Sequence, residues 1–498
     1  MSEEPPRASG IECLPPMRVL ATDARHTIRN AGLLMAQRVL HVAGATLFAA
    51  VVPRLFGPAQ FGRFTLLTSV SMWFALLSGM GAVSMMTRAV PRLVAARDED
   101  GLRRLATSLV ALRAVTGACS AAGFFLVATL VLGEPDLVAA AFIAGSVFSR
   151  TVGNLGFALL LGLNDAARWG MGELIRRWMI LALVPAGFLA DGLRGACLGL
   201  FVAELVVLAW GLWWARAYLR WDALDVSRSH LKPVLRMGGL FAAGNLLLTL
   251  TQRSGETLVR FATGSYEEVG FFGAAYAVHL TVAHAMGQLV ASLAPHLVGE
   301  YEQDRRQAIA AWLERALKCL VAVAVLSAAG AALVGRSVVP ALMGAQYSSV
   351  AANLAVLTLT LLTVAVGSVG RLQAIVLNRP AVVIAAAAFE CAAFWALGFP
   401  LASRFGSLGA CAAALPASAL YAWVVTAKLR PDLPFPLRPA GRAVAAGAVF
   451  VPLVLMAPGW PLNLLLFAAG GAAYAGLLLR LRVVTVSEIA DLKRVLRG

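Results

Sequence analysis

Apolar stretches of about twenty residues recur along the whole chain, separated by short segments that are charged or rich in Gly and Pro. A helix needs roughly 20 apolar residues to cross the hydrocarbon layer, so this pattern predicts about fourteen spanning helices. A merged late pair would reduce the count to twelve or thirteen. The predicted spans are 30–53, 64–87, 105–132, 137–161, 174–190, 195–215, 237–262, 268–298, 313–335, 349–377, 381–403, 406–427, 442–459 and 461–480.

The Lys and Arg residues predict which ends of these spans face the cytoplasm. Of the 42 in the chain, 32 fall in alternate segments beginning with the N-terminal tail, and five fall on the opposite side. The first set includes Arg176 and Arg371. Basic residues collect in cytoplasmic loops. Both termini are therefore predicted to be cytoplasmic, and the net charge of +16 needs no nucleic-acid partner.

Composition excludes a large soluble domain. The chain is 60% hydrophobic and 14% charged, with a mean hydropathy of +0.78. Soluble domains average about 25% charged residues. The sequence contains no P-loop, GxSxG or HExxH motif, and its six cysteines have no metal-ligand spacing. We therefore expect no catalytic residues, no metal, no cofactor and no enzymatic activity.

An internal repeat joins the two halves of the chain. The first span carries the pattern Asn-x6-Gln-Arg-x2-polar, and the seventh repeats it 215 residues later. The two sets are Asn30, Gln37, Arg38 and His41, and Asn245, Gln252, Arg253 and Glu256. Six spans separate the copies, so the halves are predicted to be parallel repeats related by an axis along the membrane normal.

A glycine corner follows each copy of this pattern. The first corner reads R-L-F-G-P-A-Q-F-G from Arg54 to Gly62, and the second runs from Arg260 to Gly270, with glycines offset by 208. The first corner, and Gly79-Met80-Gly81 through Arg88, resemble the polysaccharide-unit flippases of the multidrug/oligosaccharidyl-lipid/polysaccharide (MOP) exporter superfamily. Glu267 to Tyr276 resembles their second corner. Phe replaces the family's Leu at Phe56 and its Tyr at Phe61 and Phe272.

The resemblance implies an all-α polytopic membrane protein with two parallel six-helix halves and an appended C-terminal helix pair. The corresponding segments are a cytoplasmic tail (1–29), the first half (30–215), a cytoplasmic linker (216–236), the second half (237–427), the helix pair (428–480) and a cytoplasmic tail (481–498).

Polar and charged residues inside the predicted spans are the candidate site. A charge at the bilayer centre costs about 2.5–3.5 kcal/mol, so it usually faces a cavity or a partner. Helical spacing puts the seventh span's polar residues on one stripe. The polar residues of the first span also share a face. These two stripes, together with Arg150 in the fourth span, are predicted to line a central substrate cleft. Its residues are Gln37, Arg38, His41, Arg150, Asn245, Gln252, Arg253, Glu256 and Arg260.

Arginine predominates in this set, and guanidinium forks suit phosphate. The resemblance points the same way, to a polyprenyl-diphosphate-linked glycan. A structural alternative stays open, in which Arg253 pairs with Glu256 along the helix while Arg260 extends to the outer surface.

Three functions follow from this reading. The first is a flippase that moves lipid-linked oligosaccharide units across the bacterial cytoplasmic membrane by alternating access, for surface polysaccharide export. Its expected partners are the glycan carrier, membrane lipid, and polysaccharide polymerase and export machinery. The second is a multidrug cation antiporter of the same superfamily, which needs an acidic cleft. The third is a membrane-embedded glycosyltransferase or polymerase, which the short basic loops disfavour.

Overall fold

The computed structural model describes residues 24–79, 82–219, 222, 246–247, 249–430, 433, 435, 437–456, 459, 461–481 and 483. These residues form helices and turns, and no strand occurs among them. The prediction of an all-α chain is confirmed. The helices are α1 (Ala24–Leu77), α2 (Ala82–Ala95), α3 (Glu99–Leu126), α4 (Leu137–Gly162), α5 (Ala166–Ala215), α6 (Gly255–Thr263), α7 (Tyr266–Ala291), α8 (Ala294–Glu302), α9 (Arg306–Leu333), α10 (Gly335–Met343), α11 (Val350–Val376), α12 (Pro380–Leu429), α13 (Leu437–Ala446), α14 (Phe450–Met456) and α15 (Leu462–Arg480).

Three of these helices are kinked and consist of two limbs. The backbone leaves helical geometry at Gly57 in α1, at Asp191 and Gly192 in α5, and at Gly406 in α12. Gly57 has φ 71°, a left-handed value that is cheap only for glycine. The kinks at Gly57 and at Asp191 and Gly192 lie between two predicted spans, and Gly406 is the first residue of the predicted span 406–427. Each of the fourteen predicted spans contains described helical residues.

Length and composition identify the membrane segments. Within the described ranges, eight helical stretches are long and apolar enough to cross a membrane. Two of them, Ala167–Tyr218 and Pro380–Leu429, have 52 and 50 residues. At 1.5 Å per residue each is long enough to cross twice, which their kinks allow. The chain is therefore a multi-pass membrane protein.

Side-chain caps explain where several helices begin. Asp98 accepts a hydrogen bond from the backbone N–H of Gly101 before α3. Asp136 accepts from two N–H groups at the start of α4, and Asp165 accepts from one at the start of α5. Such caps satisfy the first N–H groups of a helix, which have no partner within it. The aspartates between the apolar segments therefore determine where these helices begin.

Two predicted spans are interrupted. Helix α1 ends at Leu77, a turn follows at Ser78 and Gly79, and α2 begins at Ala82 within the predicted span 64–87. A second turn at Ser292 and Leu293 separates α7 from α8 within the predicted span 268–298.

The helices group into two compact units. Unit one comprises residues 1–44, 74–183 and 197–243, and unit two comprises 45–73, 184–196 and 244–498. The core of unit one is an apolar cluster that includes Met86, Leu109 and Leu155. An extended apolar cluster of unit two includes Leu320, Leu361 and Tyr474.

Within unit two, the corner of the first repeat packs directly against the corner of the second. A Cβ on Gly62 would lie 2.8 Å from the backbone N of Gly270, and a Cβ on Gly270 would overlap the carbonyl oxygen of Pro58. The Tyr266 ring lies between two guanidinium groups, 3.9 Å from that of Arg260 and 5.8 Å from that of Arg63. We call this backbone-to-backbone approach of Gly62 and Gly270 the outer corner contact.

Candidate functional site

The predicted site residues of the first span are only partly described. Gln37 lies in α1 and is half-buried, and its side chain approaches Gly170 of α5 within unit one. Arg38 and His41 also lie in α1, but their side chains lie outside the described residues, as does the whole of Asn245.

The predicted polar stripe of the seventh span is interrupted. Residues 249–253 are helical, the pattern breaks at Ser254, and α6 begins at Gly255. Gln252 lines a cavity, Glu256 is buried, and Arg260 reaches the outer end of α6. There Arg260 donates a hydrogen bond to the carbonyl oxygen of Gly264 and stacks on Tyr266. The predicted stripe residues Gln252, Glu256 and Arg260 therefore lie in three different environments.

Unit one holds a buried charge cluster, formed by Arg150, Arg176 and Glu204. The Glu204 side chain is fully buried and accepts from Arg150, with Nε 3.0 Å from Oε1. Arg176 Nε lies 3.5 Å from Oε2 of the same carboxylate. Arg176 also pairs with Glu173 at 3.0 Å and donates to Asn154 at 2.8 Å. Arg150 therefore belongs to a packed ion-pair network.

Unit two holds a cavity of about 280 Å³ between residues 251–255, α7, α11 and α12. Its wall combines aromatic rings and hydroxyl groups with a few charged or ionisable side chains. The aromatic residues are Phe272, Tyr276, Phe394 and Tyr421. The polar and ionisable residues of the wall include Gln252, His284, Ser368, Arg371, Glu390 and Ser418.

Two arginines lie near one wall of this cavity. Arg253 and Arg371 are both close enough to His284 to interact with it electrostatically. Arg371 and Glu390 both line the cavity, and Glu390 interacts with Arg371 only at longer range. Sequence analysis counted Arg371 with a cytoplasmic segment because it lies six residues before the predicted end of its span at 377. The structure places its side chain in the cavity wall.

A family model described as "Polysaccharide biosynthesis protein" matches residues 28–298. The chain belongs to this family. Among solved structures, the fold resembles "Lipid II flippase MurJ, inward closed conformation", with TM-score 0.74, 12% identity and coverage of 92% of this chain and 100% of that one. It also resembles the inward-facing conformation of a multidrug resistance MATE family transporter of the MOP superfamily, with TM-score 0.70, 16% identity and coverage of 79% and 94%. No curated protein matches the chain in sequence.

These similarities confirm the MOP-superfamily resemblance that the corner motifs carry. At this level of identity the solved structures establish the fold. Among the residues described here, no group of three or more His, Cys, Asp or Glu side chains could hold a metal ion.

The chain contains a second internal repeat, which the sequence analysis missed. Val152-Gly153-Asn154-Leu155-Gly156 in α4 corresponds to Val366-Gly367-Ser368-Val369-Gly370 in α11, at an offset of 214. The same offset joins the kinks at Gly192 and Gly406, whose φ values are 54° and 62°. The contacts of the two segments match at the same offset. Gly156 packs against Gly211, and the equivalent Gly370 packs against Val425, which is the residue equivalent to Gly211. The last three helical limbs of each half are therefore equivalent.

This equivalence relates the charge cluster of unit one to the cavity of unit two. Arg176 corresponds to Glu390, and Asn154 corresponds to Ser368. Phe157, over which the Arg176 guanidinium lies at 5.4 Å, corresponds to Arg371. Equivalent positions thus carry a closed ion-pair network in one unit and charged groups around a cavity in the other.

Proposed function

We propose that this protein translocates polyprenyl-diphosphate-linked oligosaccharide units across the bacterial cytoplasmic membrane for surface polysaccharide export. The observation that carries the proposal is membership of the polysaccharide biosynthesis family over residues 28–298. The fold supports it, because one of the similar solved structures is a lipid II flippase. A polysaccharide polymerase and export machinery are the expected partners on the outer side.

The charged side chains support a substrate with a diphosphate headgroup. In unit two, Arg253 is close enough to interact electrostatically with His284, a residue of the cavity wall. Guanidinium offers a planar donor fork that matches phosphate oxygens and stays charged at any cellular pH. In the repeat, Arg38 holds the position equivalent to Arg253. We assign both arginines to the headgroup, which would cross by alternating access while the lipid tail stays in the bilayer.

A deletion strain complemented with variants tests this assignment. Arg38→Ala and Arg253→Ala are each expected to abolish surface polysaccharide while leaving the protein in the membrane. Arg92→Ala, which removes the same charge at an exposed site in α2, is the matched control and should restore export. Normal export in both single variants and in the double variant would refute the site. A normal glycan in the deletion strain itself would refute the function.

A multidrug cation antiporter is the second candidate, favoured by the similarity to a multidrug resistance transporter. Such a protein needs an acidic group for organic cations. The Glu204 carboxylate is neutralised by Arg150 and Arg176, and Arg253 lies near the buried Glu256. Glu390 is an acidic group of the unit-two cavity, and it shares that wall with Arg371. Increased drug susceptibility of the deletion strain, with unchanged surface glycan, would establish this candidate instead.

A further inference from the structure

We infer that the cavity of unit two binds an acidic sugar residue of the transported glycan, with its carboxylate on Arg371 and its hydroxyl groups on Glu390 and Gln252. This inference rests on the proposed function and adds the substrate class. It concerns a subsite distinct from the diphosphate site assigned to Arg38 and Arg253.

Arg371 is the first reason. Its side chain is exposed to the cavity, although it belongs to an apolar helix. Within the described part of the chain, no carboxylate lies close enough to form an ion pair with it, since Glu390 acts on it only at longer range. Keeping a guanidinium in such a segment is costly unless it has a partner. An anion that enters the cavity supplies that partner.

The rest of the wall suits a sugar ring. Tyr276 lines the cavity, and the buried Phe272 ring stacks on it with ring centres 5.5 Å apart, so part of the wall is aromatic. The C–H face of a sugar ring is apolar and packs on such surfaces, while its hydroxyl groups need donors and acceptors at the edge. Gln252 and Glu390 provide them. A volume of about 280 Å³ is at the small end of ligand sites, which fits a short glycan segment.

The charge pattern favours a carboxylate over a diphosphate at this position. Glu390 lies in the same wall as Arg371. A diphosphate carries several negative charges and would be repelled by the Glu390 carboxylate, because like charges in a poorly solvated site are costly. A uronic acid carries one negative charge on a ring of hydroxyl groups. It can pair with Arg371 while its hydroxyl groups donate to Glu390.

The repeat provides an internal comparison. In unit one the position equivalent to Glu390 is Arg176, whose guanidinium is satisfied by Glu204, Glu173 and Asn154. In unit two the position equivalent to Glu204 is Ser418, which shares a hydrogen bond of 2.6 Å with Thr363. Unit two therefore lacks the buried carboxylate that closes the network in unit one, and Arg371 forms no close ion pair among the described residues. An acidic ligand would supply that ion pair.

Binding to the purified full-length chain in detergent tests the inference with three probes: methyl β-D-glucuronoside, methyl β-D-glucoside and inorganic pyrophosphate. Calorimetry should show that the glucuronoside binds at least about tenfold more tightly than the glucoside, since a hydrogen bond to a charged group is worth that factor or more. Arg371→Gln should remove the difference, and Arg371→Lys should keep part of it. Arg379→Gln, which removes the same charge from the adjacent loop, should keep all of it.

Three results would overturn the inference. They are equal binding of glucuronoside and glucoside, an unchanged preference in Arg371→Gln, and pyrophosphate binding that depends on Arg371 more strongly than glucuronoside binding does. The unfolding temperature of each variant without ligand shows whether it is folded. Glycan export distinguishes this failure from failure of the proposed function. If Arg371→Gln restores export fully in a deletion strain that lacks surface polysaccharide, the subsite is wrong and the flippase function stands.

Discussion

Replacing Gly270 by alanine is expected to part the outer corner contact, because the added methyl group meets backbone atoms that cannot rotate away. A Cβ at this position overlaps the carbonyl oxygen of Pro58 and lies 3.2 Å from the backbone N of Gly62. Overpacking of this kind costs about 1–3 kcal/mol. The cost applies only to the conformation in which the two corners are in contact. The equilibrium therefore shifts toward the conformation in which they are separated, by roughly 5- to 150-fold.

The assay is the labelling rate of a cysteine placed below the contact. Thr68 lies one helical turn beyond Thr65, which packs against Gly273. In a background without the six native cysteines, Thr68→Cys should react with a membrane-impermeant maleimide faster in Gly270→Ala by a factor within that range. The matched control is Gly299→Ala, since a Cβ there meets no heavy atom within 4 Å.

Equal labelling rates in the two variants would refute the reasoning, provided that both elute as monodisperse protein. A milder substitution guards against misfolding. At Gly273 the new Cβ meets only side-chain atoms of Thr65, at 3.1–3.4 Å, and that side chain can give way. Gly273→Ala should therefore increase the rate less than Gly270→Ala does.

Two further predictions concern stability. Glu204→Gln removes the countercharge that Arg150 and Arg176 share, and loss of one partner from a buried ion pair costs about 3–5 kcal/mol. We expect a clearly lower unfolding temperature in detergent, partly restored when Arg150 is replaced by Met in the same chain; no drop would contradict the network. Gly406→Ala should destabilise the protein more than Gly192→Ala, although both have positive φ, because only the first adds a Cβ 2.5 Å from a carboxylate oxygen. Equal thermal shifts would contradict that order.

The fold was predictable because its determinants are local in the chain. A run of apolar residues long enough to cross the bilayer forms a helix wherever it sits, since every backbone polar group must be satisfied internally. The corners follow from Gly and Pro, as at Gly57-Pro58, where the kink occurs. The repeat was visible at the first helix of each half because both copies carry Gln-Arg followed by a glycine corner.

The candidate site was only partly predictable. Arg176 and Arg371 were assigned to cytoplasmic segments because each lies near the cytoplasmic end of a predicted span, where hydropathy gives no inner boundary. The structure pairs Arg176 with Glu204 and places Arg371 at a cavity. The interruption at Ser254 was also missed, because Thr-Gln-Arg-Ser-Gly-Glu has no proline and its spacing is compatible with a continuous helix.

The sequence by itself determined that the chain has about fourteen membrane helices, where its corners lie, and the family to which it belongs. These depend on hydropathy, on residues with special backbone preferences and on short motifs, all of which are read along the chain. Tertiary structure alone decided which charged groups meet. Arg176 and Glu204 are 28 positions apart, and Arg371 and Glu390 are 19 apart. Whether such a pair closes into an ion pair or surrounds a cavity depends on how the helices pack. The same repeat positions therefore give a neutralised core in unit one and a proposed binding site in unit two.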